Sequence, residues 1–186
     1  FLYNYASAAC IGSSPSWTAA DASYAEVNAC LAAASDGDTI YVPAGSATWT
    51  STLNISKAIT LQGNGIDSTI INAGLANTSL IIISGSKAAT IKGFTFNTSY
   101  NQWNGIIRAS TSGNGWRITN CKIHSTYADG CNFAVYIYSS ANAVGKGLID
   151  NNQLINAKVA GAQGYYTSGW DVWLEDLGLG SDNAVY

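Results

Sequence analysis

Between Ser23 and Gly37 the chain reads SYAEVNACLAAASDG. Val27, Cys30, Leu31 and Ala34 fall there at the i, i+3, i+4, i+7 spacing of one buried helical face. Ser23 followed by Glu26 is a capping-box pattern, in which each side chain satisfies a free backbone N–H at the helix start. Gly37 is placed to end the helix in the left-handed conformation. After Gly37 the period of the apolar positions drops from 3.6 to two. TIYV at 39–42 follows at once and Pro43 stops it. Short apolar runs then recur to the end of the chain, the longest being SLIIISG from Ser79 to Gly85, which has strand length.

Three of these runs superimpose without gaps: TIKGFTF from Thr90, RITNCKI from Arg117 and LIDNNQL from Leu148. Ile91, Ile118 and Ile149 coincide, as do Phe96, Ile123 and Leu154, at intervals of 27 and 31 residues. The middle position reads Gly93, Asn120, Asn151. Gly and Asn enter the left-handed region most readily, so a sharp bend is expected at each. Each segment follows another strand, LIIIS, GIIRAS or FAVYIYS. Short strands repeating every ~20–30 residues around a bend signal a solenoid. A β-sandwich of short strands is the other all-β arrangement, but it has no reason for an in-phase Gly/Asn column.

The order of helix, GDTIYVPAG, SATWTSTLNIS, KAITLQGNG and TIKGFTF-like rungs resembles the right-handed parallel β-helix proteins of the pectate-lyase-like superfamily, from about Ser23 onward. The resemblance implies an all-β fold, a right-handed parallel β-helix (solenoid) with an N-terminal capping α-helix. Residues 1–22 would be an N-terminal arm, 23–37 the cap, and 38–186 the coils. The cap would cover the sheet edge of the first coil, an aggregation hazard if left open. NAVY at 183–186 repeats most of NFAVY at 132–136. The expectation is therefore that the coils are incomplete at the C-terminus, or that a neighbouring subunit covers the open end and buries Val185.

Composition narrows the setting. Only 10% of residues are charged and the formal net charge is −3, which argues against a nucleic-acid partner. An apolar fraction of 47% is that of a chain with a core rather than a disordered one. No apolar run approaches the ~18 residues of a membrane span. Cys10 and Cys30 flank the helix, and Cys121 and Cys131 flank a turn. Two local disulfides, Cys10–Cys30 and Cys121–Cys131, are expected, and with them an oxidising, extracellular or cell-surface location. Four free buried thiols are the alternative.

Candidate chemistry is sparse. The chain has no adjacent aspartates, no Gly-His-Gly and no calcium-loop pattern, so the pectate lyase and polygalacturonase motifs are missing and no metal or cofactor is called for. His124, the single histidine, is expected in a loop after Ile123, exposed and idle. GWDVWLEDLG at 169–178 is the densest acidic cluster, with Asp171, Glu175 and Asp176 beside Trp170 and Trp173. It reads as a solvated loop, or as a sugar site in which indole stacks on C–H faces and carboxylates bind hydroxyls. Strand alternation adds a second candidate. With Ile107 and Ala109 inward, Ile106, Arg108 and Ser110 point outward; with Val135 and Ile137 inward, Tyr136 and Tyr138 point outward. Arg108 and Tyr136 are 28 residues apart, one repeat, and are expected to be neighbours on the face where the resembled enzymes bind polysaccharide.

Three Asn-x-Ser sequons, at Asn54, Asn77 and Asn97, matter only in a secretory eukaryote. Two functions from different classes follow. One is an extracellular module that binds or presents to polysaccharide, with lyase or glycosidase activity as its catalytic variant. The other is a structural or adhesive filament, fibre or spike module.

Overall fold

A computed structural model describes residues 10–111, 114–127, 133–139, 146–156 and 172–176. The chain opens with a hairpin, β1 (Cys10–Ser13) and β2 (Ser16–Ala19), followed by α1 (Tyr24–Ala33). Five coils of three strands come next. The first is β3 (Thr39–Val42), β4 (Gly45–Trp49) and β5 (Leu53–Ile55), and the second β6 (Thr60–Gly63), β7 (Thr69–Ala73) and β8 (Ile81–Gly85). The third is β9 (Thr90–Lys92), β10 (Thr95–Thr98) and β11 (Ile107–Thr111), and the fourth β12 (Asn114–Thr119), β13 (Lys122–Ser125) and β14 (Val135–Ser139). The fifth is β15 (Lys146–Asp150), β16 (Gln153–Asn156) and β17 (Val172–Asp176).

Equivalent strands of successive coils pair in parallel. They form a first sheet β1-β2-β3-β6-β9-β12-β15, a second β4-β7-β10-β13-β16 and a third β5-β8-β11-β14-β17. The protein is a parallel β-solenoid of about five turns. The repeat read from the sequence is the register observed: Ile118 pairs with Ile91 and Ile149, and Ile123 with Phe96 and Leu154. Ile91, Phe96, Ile118 and Ile123 are buried, so the columns that stack are also the core.

The bends stand where the Gly/Asn column predicts them. Gly93, Asn120 and Asn151 have φ of 77°, 50° and 54°. Each turns the chain from the first sheet into the second, and Gly93 N–H donates to Asn120 O at 3.0 Å to link two coils at the corner. Asn120→Gly is expected to fold with near-native stability. Asn120→Val is expected to lose about 1–3 kcal/mol, because a β-branched residue at positive φ is strained. Thermal melts check this; coincident midpoints for the two variants would show that the corner tolerates any residue.

The cap has more parts than the helix. Val27, Cys30 and Leu31 of α1 are buried, with Ala34 just beyond it, as the helical spacing predicts. Ser23 is the N-cap and accepts from Glu26 N–H, while Ser23 N–H donates to the Asp21 carboxylate at 2.7 Å. The helix ends at Ala33 rather than at Gly37. Lys57 Nζ supplies the stop by donating to the carbonyls of Leu31 (2.7 Å), Ala32 (3.0 Å) and Ala34 (2.6 Å). A cation on those free carbonyls also suits the helix dipole. Gly37, at φ 93°, instead serves the turn into β3, where its N–H meets Ala58 O.

Part of the expected arm is built into the solenoid. β2 pairs in parallel with β3, and β1 pairs antiparallel with β2, so the hairpin covers the first-coil edge of the first sheet. Asp38 pins this corner. It is buried and accepts from Ser35 N–H (2.8 Å), Ser14 Oγ (2.7 Å) and Trp17 Nε1 (2.8 Å), bonds that hold its carboxyl below the usual carboxylate range.

Of the two expected disulfides, Cys10–Cys30 is present and ties β1 to α1. Cys121 is a correction. It is a free thiol, fully buried, with Sγ set toward the carbonyls of Thr119 and Ile91, and burial pushes its pKa up to about 11. The bend at Asn120 turns the next side chain into the core, as the bend at Gly93 buries Phe94. Proximity in sequence to Cys131 therefore does not place Cys121 on the surface. Cys131 and residues 183–186 lie outside the described residues.

Candidate functional site

The outer face of the third sheet carries the Arg108–Tyr136 juxtaposition expected from alternation. Leu53, Ile81, Ile107 and Val135 form one buried column, and Ile55, Ile83, Ala109 and Ile137 the other. Between them runs an outward column of Asn54, Ile82, Arg108 and Tyr136, and Trp173 is the next register position along it. A second column places Ser84, Ser110, Tyr138 and Glu175 in line. Arg108 and Tyr136 are register partners, and the guanidinium lies 5.5 Å from the centre of the Tyr136 ring, within cation–π range.

β17 is a correction to the loop reading of the acidic cluster. Val172–Asp176 is a strand, with Val172 and Leu174 in register with Val135 and Ile137 of β14. Two candidates that look unrelated in sequence thereby become one: Trp173 pairs with Tyr136, and Glu175 with Tyr138. Asp176 pairs with Ser139 at the end of the strand. Trp170 and Asp171 lie outside the described residues.

Ile106 is a second correction. It was expected to face outward with Arg108, yet it is 1% exposed. It precedes β11 at the coil corner, where alternation has not begun, and the preceding Gly105 at φ 73° redirects the chain. Leu80 shows the same inward corner before β8. Gly105 is there for a close approach as well: a Cβ would stand 2.8 Å from both Tyr136 Cβ and Tyr136 N. Tyr136 is thus walled by this loop on one side and by Phe133, stacked at 6.2 Å, on the other.

The loops between the second and third sheets are held by Gln102, which is fully buried. Its Nε2 donates to Leu75 O (2.9 Å) and Thr98 Oγ1 (3.3 Å), and its Oε1 accepts from Thr78 N–H (3.1 Å). Gly105 N–H and Phe133 N–H donate to its backbone carbonyl at 3.0 and 3.3 Å. So anchored, the loop between β10 and β11 exposes Trp103 (46%) and Tyr100 (40%) between the second and third sheets. Sequence reasoning missed both. Their signal is SYNQWNG, two aromatics among Asn, Gln and Gly in the connection that leads into the Arg108 strand.

His124 is a third correction. It lies inside β13, half-buried, in register with Asn97 and Ile155, because alternation carries on to the buried Ser125. Among the described residues, three ion pairs run between coils: Lys87 with Asp36 at 2.5 Å, Arg117 with Asp150 at 2.5 Å and Lys122 with Asp67 at 2.9 Å. Arg117 holds the Asp150 carboxyl below its ordinary range, and Lys87 does the same for Asp36. Such exposed pairs add little stability individually. Among the described residues no group of three or more His, Cys, Asp or Glu could hold a metal ion, and no helix is long and apolar enough to cross a membrane. Asn54 and Asn77 are exposed, whereas Asn97 is half-buried and bonded to Asn72. No family model, curated protein or solved structure matches the chain.

Proposed function

We propose that this chain is an extracellular β-helix module, akin to the pectate-lyase-like superfamily, that binds polysaccharide along the outer face of its third sheet. One observation carries the reading: Arg108 lies over Tyr136, whose register partner in the next coil is Trp173. Aromatic rings stack on sugar C–H faces, while guanidinium and carboxylate groups bind hydroxyls and uronate carboxylates. A row spaced by one strand separation, ~4.8 Å, suits an extended chain laid across the coils. The loop that leads into the Arg108 strand adds two exposed aromatics, Trp103 and Tyr100. The Cys10–Cys30 disulfide fits an oxidising compartment.

The test is retention on immobilised acidic and neutral polysaccharides, with product assays for unsaturated and reducing ends. The expected result is binding without cleavage, weakened about tenfold by Tyr136→Ala and again by Arg108→Ala, the worth of a stacking or cation–π contact. Unchanged retention of the double variant would move the site elsewhere. No retention on any glycan would favour a rigid spacer or fibre module.

A further inference from the structure

A concavity of about 340 Å³ lies on the second sheet. Asn72 of β7, Asn97 of β10 and His124 of β13 line it from three successive coils, and Ser99 and Thr126 line it from the loops that follow. The three strand residues are register partners, so their Cα atoms stand one strand spacing apart.

The amides in this row point one way. Asn97 Nδ2 donates to Asn72 Oδ1 at 3.0 Å, and Asn72 Nδ2 donates to Ser46 Oγ at 3.1 Å. Asn97 Oδ1 is therefore the acceptor left at the end that faces the His124 position. Among the described residues no hydrogen bond reaches that oxygen or either ring nitrogen of His124. A neutral imidazole offers one donor and one acceptor. The nearest charge on the strand, Lys122, shares the outward face of His124 by alternation, but it is paired with Asp67 and does not line the concavity. No Asp, Glu, Lys or Arg side chain lines the concavity.

We infer that this groove is a second, separate binding site that takes an uncharged polyhydroxyl ligand, a single neutral sugar ring. Adjacent hydroxyls each donate and accept, so one donates to Asn97 Oδ1 while its neighbour exchanges a hydrogen bond with the imidazole. The lack of a lining cation or carboxylate gives a uronate or an amino sugar no counter-charge. The volume is at the small end of ligand pockets, which suits one ring and not an extended chain.

The chain has one histidine, so the His124 ring signals in an NMR spectrum are unambiguous. Titrating the intact chain with xylose, glucose and galacturonate is expected to give a saturable millimolar shift of those signals with the neutral sugars only. Asn97→Ala is expected to weaken it about tenfold, the worth of one hydrogen bond. The Arg108→Ala, Tyr136→Ala double variant is expected to leave it unchanged, which separates this site from the polysaccharide face. His124→Gln, read by saturation transfer to xylose, is the second variant if Asn97→Ala does not fold. No saturable shift with either neutral sugar, a shift with galacturonate alone, or unaltered binding in both groove variants would each overturn the assignment.

Discussion

Trp49→Ala is expected to lower the thermal midpoint by about 12 °C, the largest effect of any single truncation proposed. The indole is 1% exposed, its Nε1 donates to Ala22 O at 2.9 Å, and the Tyr24 ring meets it edge-on at 5.8 Å. Trp49 ends β4 of the first coil, whereas Ala22 and Tyr24 belong to the cap, so a single side chain fastens the helix to the solenoid. Truncating a buried Trp costs about 3–5 kcal/mol, and in a chain of this size each kcal/mol moves the midpoint by about 2–4 °C. Trp49→Phe keeps the ring packing, loses the hydrogen bond and is expected to fall only about a third as far. Differential scanning calorimetry of the three proteins decides it. Equal losses for Ala and Phe would show that the hydrogen bond, not the packing, is what matters.

Removing the Cys10–Cys30 disulfide is the second large effect. The bridge closes a loop with a sequence separation of 20, for which the loop-entropy relation gives about 3 kcal/mol. The expected result for Cys10→Ser with Cys30→Ala is a midpoint about 10 °C lower, with the first-coil edge freed at the same time. Adding reductant to the native sequence should reproduce the shift. Alkylation of unfolded, unreduced protein should modify Cys121 but leave Cys10 and Cys30 untouched. A reductant-insensitive melt would show that the buried face of α1 holds the cap unaided.

Both effects bear on the cap because the coils hold themselves by a different means. Each coil repeats the same inward residues, so Ile91, Ile118 and Ile149 support one another in a column and no single rung is decisive. The cap is built once. It depends on Trp49, the disulfide, Asp38 and the Lys57 ammonium, none of which recurs up the solenoid.

The readable parts of this protein are those in which a side chain's direction follows from its neighbours in sequence. The helix face of Val27, Cys30 and Leu31 follows from a 3.6-residue period, and the Arg108–Tyr136 pairing from a two-residue period plus the repeat length. The bends at Asn120 and Asn151 follow from backbone sterics, since few residues other than Gly and Asn accept positive φ. Direction was misread at corners and strand ends, where a turn resets the alternation. Ile106 and Cys121 face inward for that reason, and His124 and Trp173 lie in strands that run further than their local sequence suggests.

What only the tertiary structure decided is which residues from different coils share a place. Gly147 is obligatory because the indole of Trp116, its register partner one coil back, occupies the place where a Cβ would stand. Lys57 ends a helix more than twenty residues upstream, and Asn72, Asn97 and His124 make a groove from three strands that are remote in sequence. Local periodicity carries the direction of a side chain but not the length of the loop that brings the next coil round. These loops vary from coil to coil, so the partners they create become visible only once the coils are stacked.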